Sequence, residues 1–139
     1  LNTLRREHGA AGVEIVGIAV DFREDVLAYA ESTPIDYPLL IGEEDGLAAA
    51  QAFGMNMVFP FTVFADAQRR IVALKVGELH ADEAEFILAR ITALNDGRET
   101  IAQVRPAIAA ELAALAAKRA QQAPAAAPAA PGTPAAAAS

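Results

Sequence analysis

Short apolar segments alternate with amphipathic ones along the first part of this chain. Residues 13–20 (VEIVGIAV) are almost continuously apolar and rich in β-branched side chains, which is typical of a strand buried on both faces. A helix is predicted after Asp21, and it ends before Pro34 because the residue preceding a proline avoids the helical conformation. Residues 37–41 (YPLLI) predict a second strand. Strands that alternate with helices favour a parallel sheet.

The segments that follow complete an α/β pattern. A helix is predicted over residues 47–53. Two strands, residues 61–65 (FTVFA) and 71–76 (IVALKV), are separated by a short polar turn that suits an antiparallel hairpin. Residues 82–94 carry apolar side chains at helical spacing. The sequence therefore predicts an α/β fold with a central mixed sheet flanked by helices.

The composition changes after Gly97. Apolar residues at spacings of three and four predict one amphipathic helix, or two helices broken at Pro106. From Gln121 onward the chain is mainly alanine and proline, which predicts a disordered or extended segment. We thus predict three parts: an incomplete α/β domain over residues 1–95, a C-terminal amphipathic helical extension over 96–120, and an Ala/Pro-rich disordered tail over 121–139.

Charge and cysteine content exclude several classes of function. The net charge of −7 argues against nucleic-acid partners and anionic membrane surfaces, because both require a basic patch. No apolar run approaches the roughly 18 residues of a membrane-spanning helix. The chain has no cysteine, so it offers no thiolate nucleophile or thiolate metal ligand. His8 and His80 have no partner at ligand spacing and are interpreted as solvated turn residues, so no metal or other cofactor is predicted.

The first residues are typical of the end of an amphipathic helix. Leu1 and Leu4 precede a charged stretch over residues 5–7, and Gly9 closes the pattern. A chain that opens inside a helix is expected to be a fragment or a processed product. The alternative is a short N-terminal helix in a complete protein.

The candidate binding site lies directly before the predicted hairpin. Pro60 follows a run of Met, Val and Phe and precedes a strongly apolar strand. A cis bond between Phe59 and Pro60 would present backbone groups to an extended peptide. The alternative from these residues alone is an ordinary trans proline at the start of an edge strand.

The chain as a whole resembles the thioredoxin-like superfamily, and it is most similar to disulfide reductases of the TlpA and ResA type. The resemblance rests on the order GVEIVGIAV, a D-x-x-E helix, YPLLIG, VFPFTVFAD and IVALKVG. In that family a strand leads to a Cys-x-x-Cys motif at the start of a long helix, and a later loop carries a cis-proline that faces the cysteines. Pro60 matches that proline and Phe59 the residue before it. Residues 66–70 match the hairpin turn of the family, and Gly77 matches the glycine that closes the last strand.

The resemblance implies a thiol–disulfide oxidoreductase of which this chain is a truncated, cysteine-free portion. The Cys-x-x-Cys motif would lie upstream of Leu1, so no catalytic residue is expected here. Thiol- or disulfide-bearing proteins or peptides would bind at Phe59, Pro60 and Phe61. The family also implies a periplasmic or membrane-anchored protein facing the periplasm, with the cytoplasm left open. Two departures are the bulky Phe59 and the arginine at Arg69, where the family usually has glycine.

Two other functions stay open at this point. A thiol peroxidase would need a single peroxidatic cysteine on the upstream helix, whereas a non-catalytic thioredoxin-like module would bind peptides through residues 59–61 without any cysteine. The upstream gene sequence distinguishes the three functions. Two cysteines separated by two residues indicate a reductase, one indicates a peroxidase, and none indicates a binding module.

Overall fold

The computed structural model describes residues 1–53 and 60–123. Its elements in chain order are α1 (Asn2–His8), a 3₁₀ turn (Gly9–Ala11), β1 (Gly17–Ala19), α2 (Arg23–Ser32), β2 (Leu39–Ile41), α3 (Glu44–Ala52), β3 (Phe61–Ala65), β4 (Ile71–Val76), α4 (Ala81–Asn95) and α5 (Ile101–Gln122). The α/β class predicted from the sequence is confirmed. The chain divides into two compact units: unit 1 comprises Leu1–Thr62 and Val76–Glu78, and unit 2 comprises Val63–Lys75 and Leu79–Ser139.

Unit 1 is built on a parallel pair of strands. β1 pairs with β2 so that Gly17 lies opposite Leu39 and Ala19 lies opposite Ile41. α2 provides the crossover connection that two consecutive parallel strands require. Glycine at position 17 lets the ring of Tyr37 approach the strand, because a Cβ atom there would lie 2.8 Å from that ring and would force it to shift.

β1 differs from its predicted form in both length and burial. The sequence predicts a strand over residues 13–20 that is buried on both faces, but β1 contains three residues, and Val16 and Ile18 are 53% and 43% exposed. The described residues form two two-stranded sheets, β1–β2 and β3–β4, and a single central mixed sheet stays a prediction. An apolar sequence makes a strand suitable for burial, but burial itself depends on other layers that cover it.

Unit 2 packs two helices against a β-hairpin. β3 and β4 coincide with the predicted strands, and the turn between them is too short for a parallel crossover, so they run antiparallel. Ile87 of α4 and Val104 of α5 have no exposed area. They belong to a core cluster that consists of Val72, Ala73, Ile87, Ile91, Leu94, Val104 and Ile108.

α5 is a single helix that continues through Pro106. A proline inside a helix lacks the N–H donor and clashes with the preceding turn, at a cost of about 3 kcal/mol. Val104 and Ile108 lie on either side of Pro106 and are 0% and 2% exposed, so burial in the core offsets this cost. The helix extends to Gln122, beyond the predicted start of the tail at residue 121. Residues 124–139 of that tail lie outside the described residues.

The turn of the hairpin holds an arginine in the left-handed conformation. Arg69 has a φ angle of 64°, and its N–H donates to the Asp66 carbonyl at 2.9 Å. The Asp66 carboxylate also accepts the N–H groups of Gln68, at 3.0 Å, and Arg70, at 2.8 Å. A left-handed conformation costs a non-glycine residue roughly 1–2 kcal/mol. The hydrogen bonds to Asp66 stabilise the turn against this strain.

We therefore predict that Arg69→Gly stabilises the protein by about 0.5–1 kcal/mol, because the relief of left-handed strain exceeds the added entropy of the unfolded chain. Urea denaturation followed by far-UV circular dichroism measures the change. Gly97→Ala is the matched control, because it adds a Cβ atom at a left-handed position instead of removing one. Gly97 has a φ angle of 72° and open space around it, so the substitution adds backbone strain without a clash. It should lower the free energy of unfolding. A destabilised Arg69→Gly variant would contradict this description of the turn.

Candidate functional site

Pro60 lies on the surface directly before β3. Its carbonyl accepts the N–H of Gly77 at 2.8 Å, which closes the base of the hairpin. Gly77 has a φ angle of 85°, a conformation that glycine adopts without Cβ strain. Phe61, the first residue of β3, is half-buried. Phe59, and with it the predicted cis bond to Pro60, lies outside the described residues.

β3 presents an unpaired edge next to this proline. The Pro60 carbonyl and the Asp66 N–H both bond to the β4 side of the hairpin. Since successive residues of a strand direct their backbone groups to opposite sides, those of Phe61 and Val63 point to the other edge. That edge pairs with no strand among residues 1–53 and 60–123. Pro60 and Phe61 thus stand at the start of a strand edge that is unpaired among the described residues.

The far end of β3 carries a carboxylate that is held in place. Asp66 is 6% exposed and accepts a charge-assisted hydrogen bond from Arg70 Nε at 2.7 Å. Burial raises the pKa of Asp66, but the hydrogen bonds and the charge of Arg70 outweigh it, so the pKa lies below its ordinary value. Asp66 is therefore ionised and orders the turn.

A second carboxylate, Glu83, is fully buried at the start of α4. Its Oε1 accepts Lys75 Nζ at 2.9 Å and Arg119 Nη1 at 2.8 Å. Its Oε2 accepts the N–H of His80 at 3.0 Å. Arg119 also bonds to the Asp82 carboxylate. This group, which we call the Glu83 cluster (Lys75, His80, Asp82, Glu83 and Arg119), joins β4 to both helices of unit 2.

The Glu83 cluster is arranged for stability rather than for proton transfer. Burial raises the pKa of Glu83, but hydrogen bonds from Lys75 and from the His80 N–H, together with the charges of Lys75 and Arg119, lower it below its ordinary value overall. Both oxygens already accept hydrogen bonds from the protein. A carboxylate that is ionised and fully bonded in this way is a poor general acid or base.

Sequence reasoning did not find this cluster. Glu83 follows His80 at the spacing of a helix capping box, and that spacing was the available signal. Lys75 and Arg119 lie too far along the chain to be assigned to it by spacing. The prediction of solvated turn histidines differs from the structure, because His8 ends α1, His80 caps α4, and both are half-buried.

Acidic residues begin α3, which starts earlier than the predicted residue 47. α3 begins at Glu44, and Asp45 also lies in its first turn. Negative charge at a helix N-terminus interacts favourably with the helix dipole. Glu44 and Asp45 therefore stabilise the start of α3.

No family model matches the sequence, and no curated protein or solved structure matches the chain. Among the described helices, none is both long and apolar enough to cross a membrane. The resemblance to thioredoxin-like reductases therefore stays a prediction.

The Glu83 cluster predicts a specific loss of stability in acid. Because the pKa of Glu83 is lowered in the folded state, its contribution is fully present above the unfolded-state pKa and is lost as pH falls through the lower folded-state value. Glu83→Gln should cost about 3 kcal/mol at neutral pH, by leaving Lys75 and Arg119 without their anion. This cost should shrink as the pH falls through the lowered folded-state pKa of Glu83, because the native carboxylate then binds a proton.

Denaturant unfolding at neutral pH and at acidic pH measures these differences in the free energy of unfolding. Asp96→Asn is the control, since its ion pair with Arg98 is 55–63% exposed, and it should change stability by less than about 1 kcal/mol at either pH. A Glu83→Gln cost that is equal at both pH values would show that the charge of Glu83 does not stabilise the fold.

Proposed function

We propose that this chain is the peptide-docking part of a thioredoxin-like thiol–disulfide oxidoreductase of the TlpA and ResA type, whose Cys-x-x-Cys segment lies outside these 139 residues. The order of the elements supports the proposal: a parallel β1–α2–β2 unit and α3 are followed by the β3–β4 hairpin and α4. The observation that carries it is the presence of two incomplete sheets, each of which has an unpaired edge among the described residues.

The sheet of unit 1 leaves apolar surface open. Val16, Ile18 and Leu40 are 53%, 43% and 57% exposed. Gly17 and Ala19 direct hydrogen bonds toward the β2 side, so the backbone groups of Ile18 point to the opposite, unpaired edge. A two-stranded sheet is marginal by itself, and contiguous exposed apolar surface marks an interaction site. A further strand, such as the one that leads to the cysteines in the family, would pair with an edge of this kind.

The hairpin turn gives a second line of support. Arg69 stands where the family usually has glycine, and it adopts a left-handed φ angle of 64°. The backbone at this position is thus of the type that favours glycine, even though the side chain departs from the family pattern. The turn keeps its shape through the hydrogen bonds to Asp66.

The proposed reaction assigns this chain a positioning task. A cysteine thiolate attacks one sulfur of the substrate disulfide, a new S–S bond forms, and the other substrate sulfur leaves as a thiolate that takes a proton from solvent. The thiolate of the second cysteine then attacks the mixed disulfide and releases the reduced substrate, which leaves a disulfide between the two cysteines for an external dithiol to reduce. Pro60 and Phe61 would hold the substrate backbone beside the reacting sulfur, along the open edge of β3.

A comparison of this chain with a longer protein tests the proposal. The chain should show no reduction of a disulfide-bonded peptide by dithiothreitol above the uncatalysed rate, because it has no thiol. The upstream coding sequence should contain two cysteines separated by two residues, and the protein that includes them should catalyse the reduction. Replacement of both cysteines by serine in that longer protein is the matched control, and it should abolish turnover.

A single upstream cysteine would overturn the proposal in favour of a peroxidase, and the absence of any cysteine would favour a non-catalytic binding module. A longer protein with both cysteines that folds but reduces no disulfide would also overturn it.

Pro60→Ala in the active protein should raise the KM for the peptide more than it changes the reactivity of the thiol toward a small alkylating agent. Equal loss in both measurements would assign Pro60 a purely structural role.

A further inference from the structure

The C-terminal part of α5, residues 113–122, is held to the rest of unit 2 by few side chains. Val104 and Ile108, the buried side chains of α5, both lie before it. Leu115 and Arg119 are half-buried and lie one helical turn apart on the same face, whereas the other residues of this stretch are exposed. We call residues 113–122 the α5 strap. Its alanine-rich sequence favours a helix even where little surface is buried.

Arg119 makes the polar contacts of the strap. Its Nη1 donates to Glu83 Oε1 at 2.8 Å, and its Nη2 donates to the Asp82 carboxylate. The Arg119 side chain is 29% exposed and that of Asp82 is 55% exposed, so both charges meet solvent while they are paired. Separating them therefore costs less than separating a fully buried ion pair.

Glu83 keeps its other partners when the strap moves away. Lys75 Nζ donates to the same oxygen, Oε1, at 2.9 Å, and the N–H of His80 donates to Oε2 at 3.0 Å. Lys75 belongs to β4 and His80 precedes α4, so neither moves with α5. A buried carboxylate is strongly destabilising when it loses its cation, but here one cation stays. The strap can thus leave its position without an unpaired buried charge, whereas movement of β4 would disrupt the core.

We propose that the α5 strap opens and closes cooperatively on the folded remainder of unit 2, that Arg119 holds it closed, and that ionic strength controls how often it opens. The hinge lies at residues 113–114. Both are exposed alanines, and they directly follow Leu112, which packs against the core. The first half of α5 stays in place because its apolar side chains belong to that core.

Ionic strength acts on this equilibrium through the exposed part of the Glu83 cluster. Asp82 lies at the surface, so dissolved ions screen its attraction to Arg119 and favour the open state. In the open state water reaches Glu83 from the side that Arg119 leaves, while Lys75 remains bonded to it. The inference concerns unit 2 alone and is independent of the proposed disulfide chemistry.

Native-state amide hydrogen exchange on the intact chain tests the proposal, because it measures the opening of each segment separately. Amides of residues 117–121 report on the strap, and those of α4 report on the core. Raising NaCl from about 20 mM to about 500 mM at constant pH should accelerate exchange of the strap amides several-fold. Ile87→Val weakens the core, which the open state retains, so it should accelerate the α4 amides and leave the strap amides unchanged.

Three variants test the role of Arg119. Arg119→Gln should accelerate the strap amides at least about tenfold, because hydrogen bonds to two carboxylates are lost. Lys118→Gln is the matched control, since it removes the same charge from an exposed neighbour, and it should leave the strap amides unchanged. Lys75→Met should slow their exchange, because opening would then leave Glu83 without a cation.

The proposal is wrong if Ile87→Val accelerates the strap and α4 amides by the same factor, since the strap would then open only when unit 2 unfolds. It is also wrong if Arg119→Gln and Lys118→Gln have equal effects, because residues 113–122 would then be an ordinary frayed helix end. Strap amides that exchange faster in Lys75→Met, or that do not respond to salt, would overturn it as well.

Discussion

The buried carboxylate of Glu83 is the interaction on which the arrangement of unit 2 depends. Removing a charge from water costs several kcal/mol, so a fully buried carboxylate is compatible with the fold only when partners surround it. Lys75 comes from β4, Glu83 from α4 and Arg119 from the C-terminal part of α5. Each cation would lose its partner if its element moved away. The cluster therefore fixes the position of three elements more sharply than apolar packing would.

The two ends of α5 are held in different ways. Its N-terminal half places Val104 and Ile108 in the core, with Leu112 packed against it. Beyond Leu112 the helix is rich in alanine, which buries little apolar area. Arg119 supplies the hydrogen bonds from this part of the helix to Glu83 and Asp82. The ion pairs of Arg119 thus hold the C-terminal half of α5 against α4, whereas apolar packing holds its N-terminal half.

Much of the fold follows from local sequence signals, but the long-range contacts do not. β3 and β4 have the predicted bounds because their alternation ends at clear turn residues. β1 is shorter than predicted, because an apolar sequence does not by itself specify which other elements cover the strand. The sequence left open a helix break at Pro106. The helix continues there because the burial of Val104 and Ile108 offsets the cost of the proline. Pro60 and Phe61 lie at the start of β3, and their role in binding stays a prediction. The Glu83 cluster was not predicted, since periodicity cannot pair residues so far apart in sequence.

The account makes unit 2 the stable part of the described chain and unit 1 the part with open sheet edges and exposed apolar side chains. In unit 1, Val26 and Ala50 are the buried apolar side chains among the described residues, whereas unit 2 has a contiguous core. Native-state amide hydrogen exchange at each residue tests this contrast most directly. We predict that the slowest amides lie in β4, α4 and the first half of α5, and that those of β1 and β2 exchange at least about tenfold faster. Protection in β1 and β2 equal to that in α4 would contradict the account, because it would mean that unit 1 is as completely packed as unit 2.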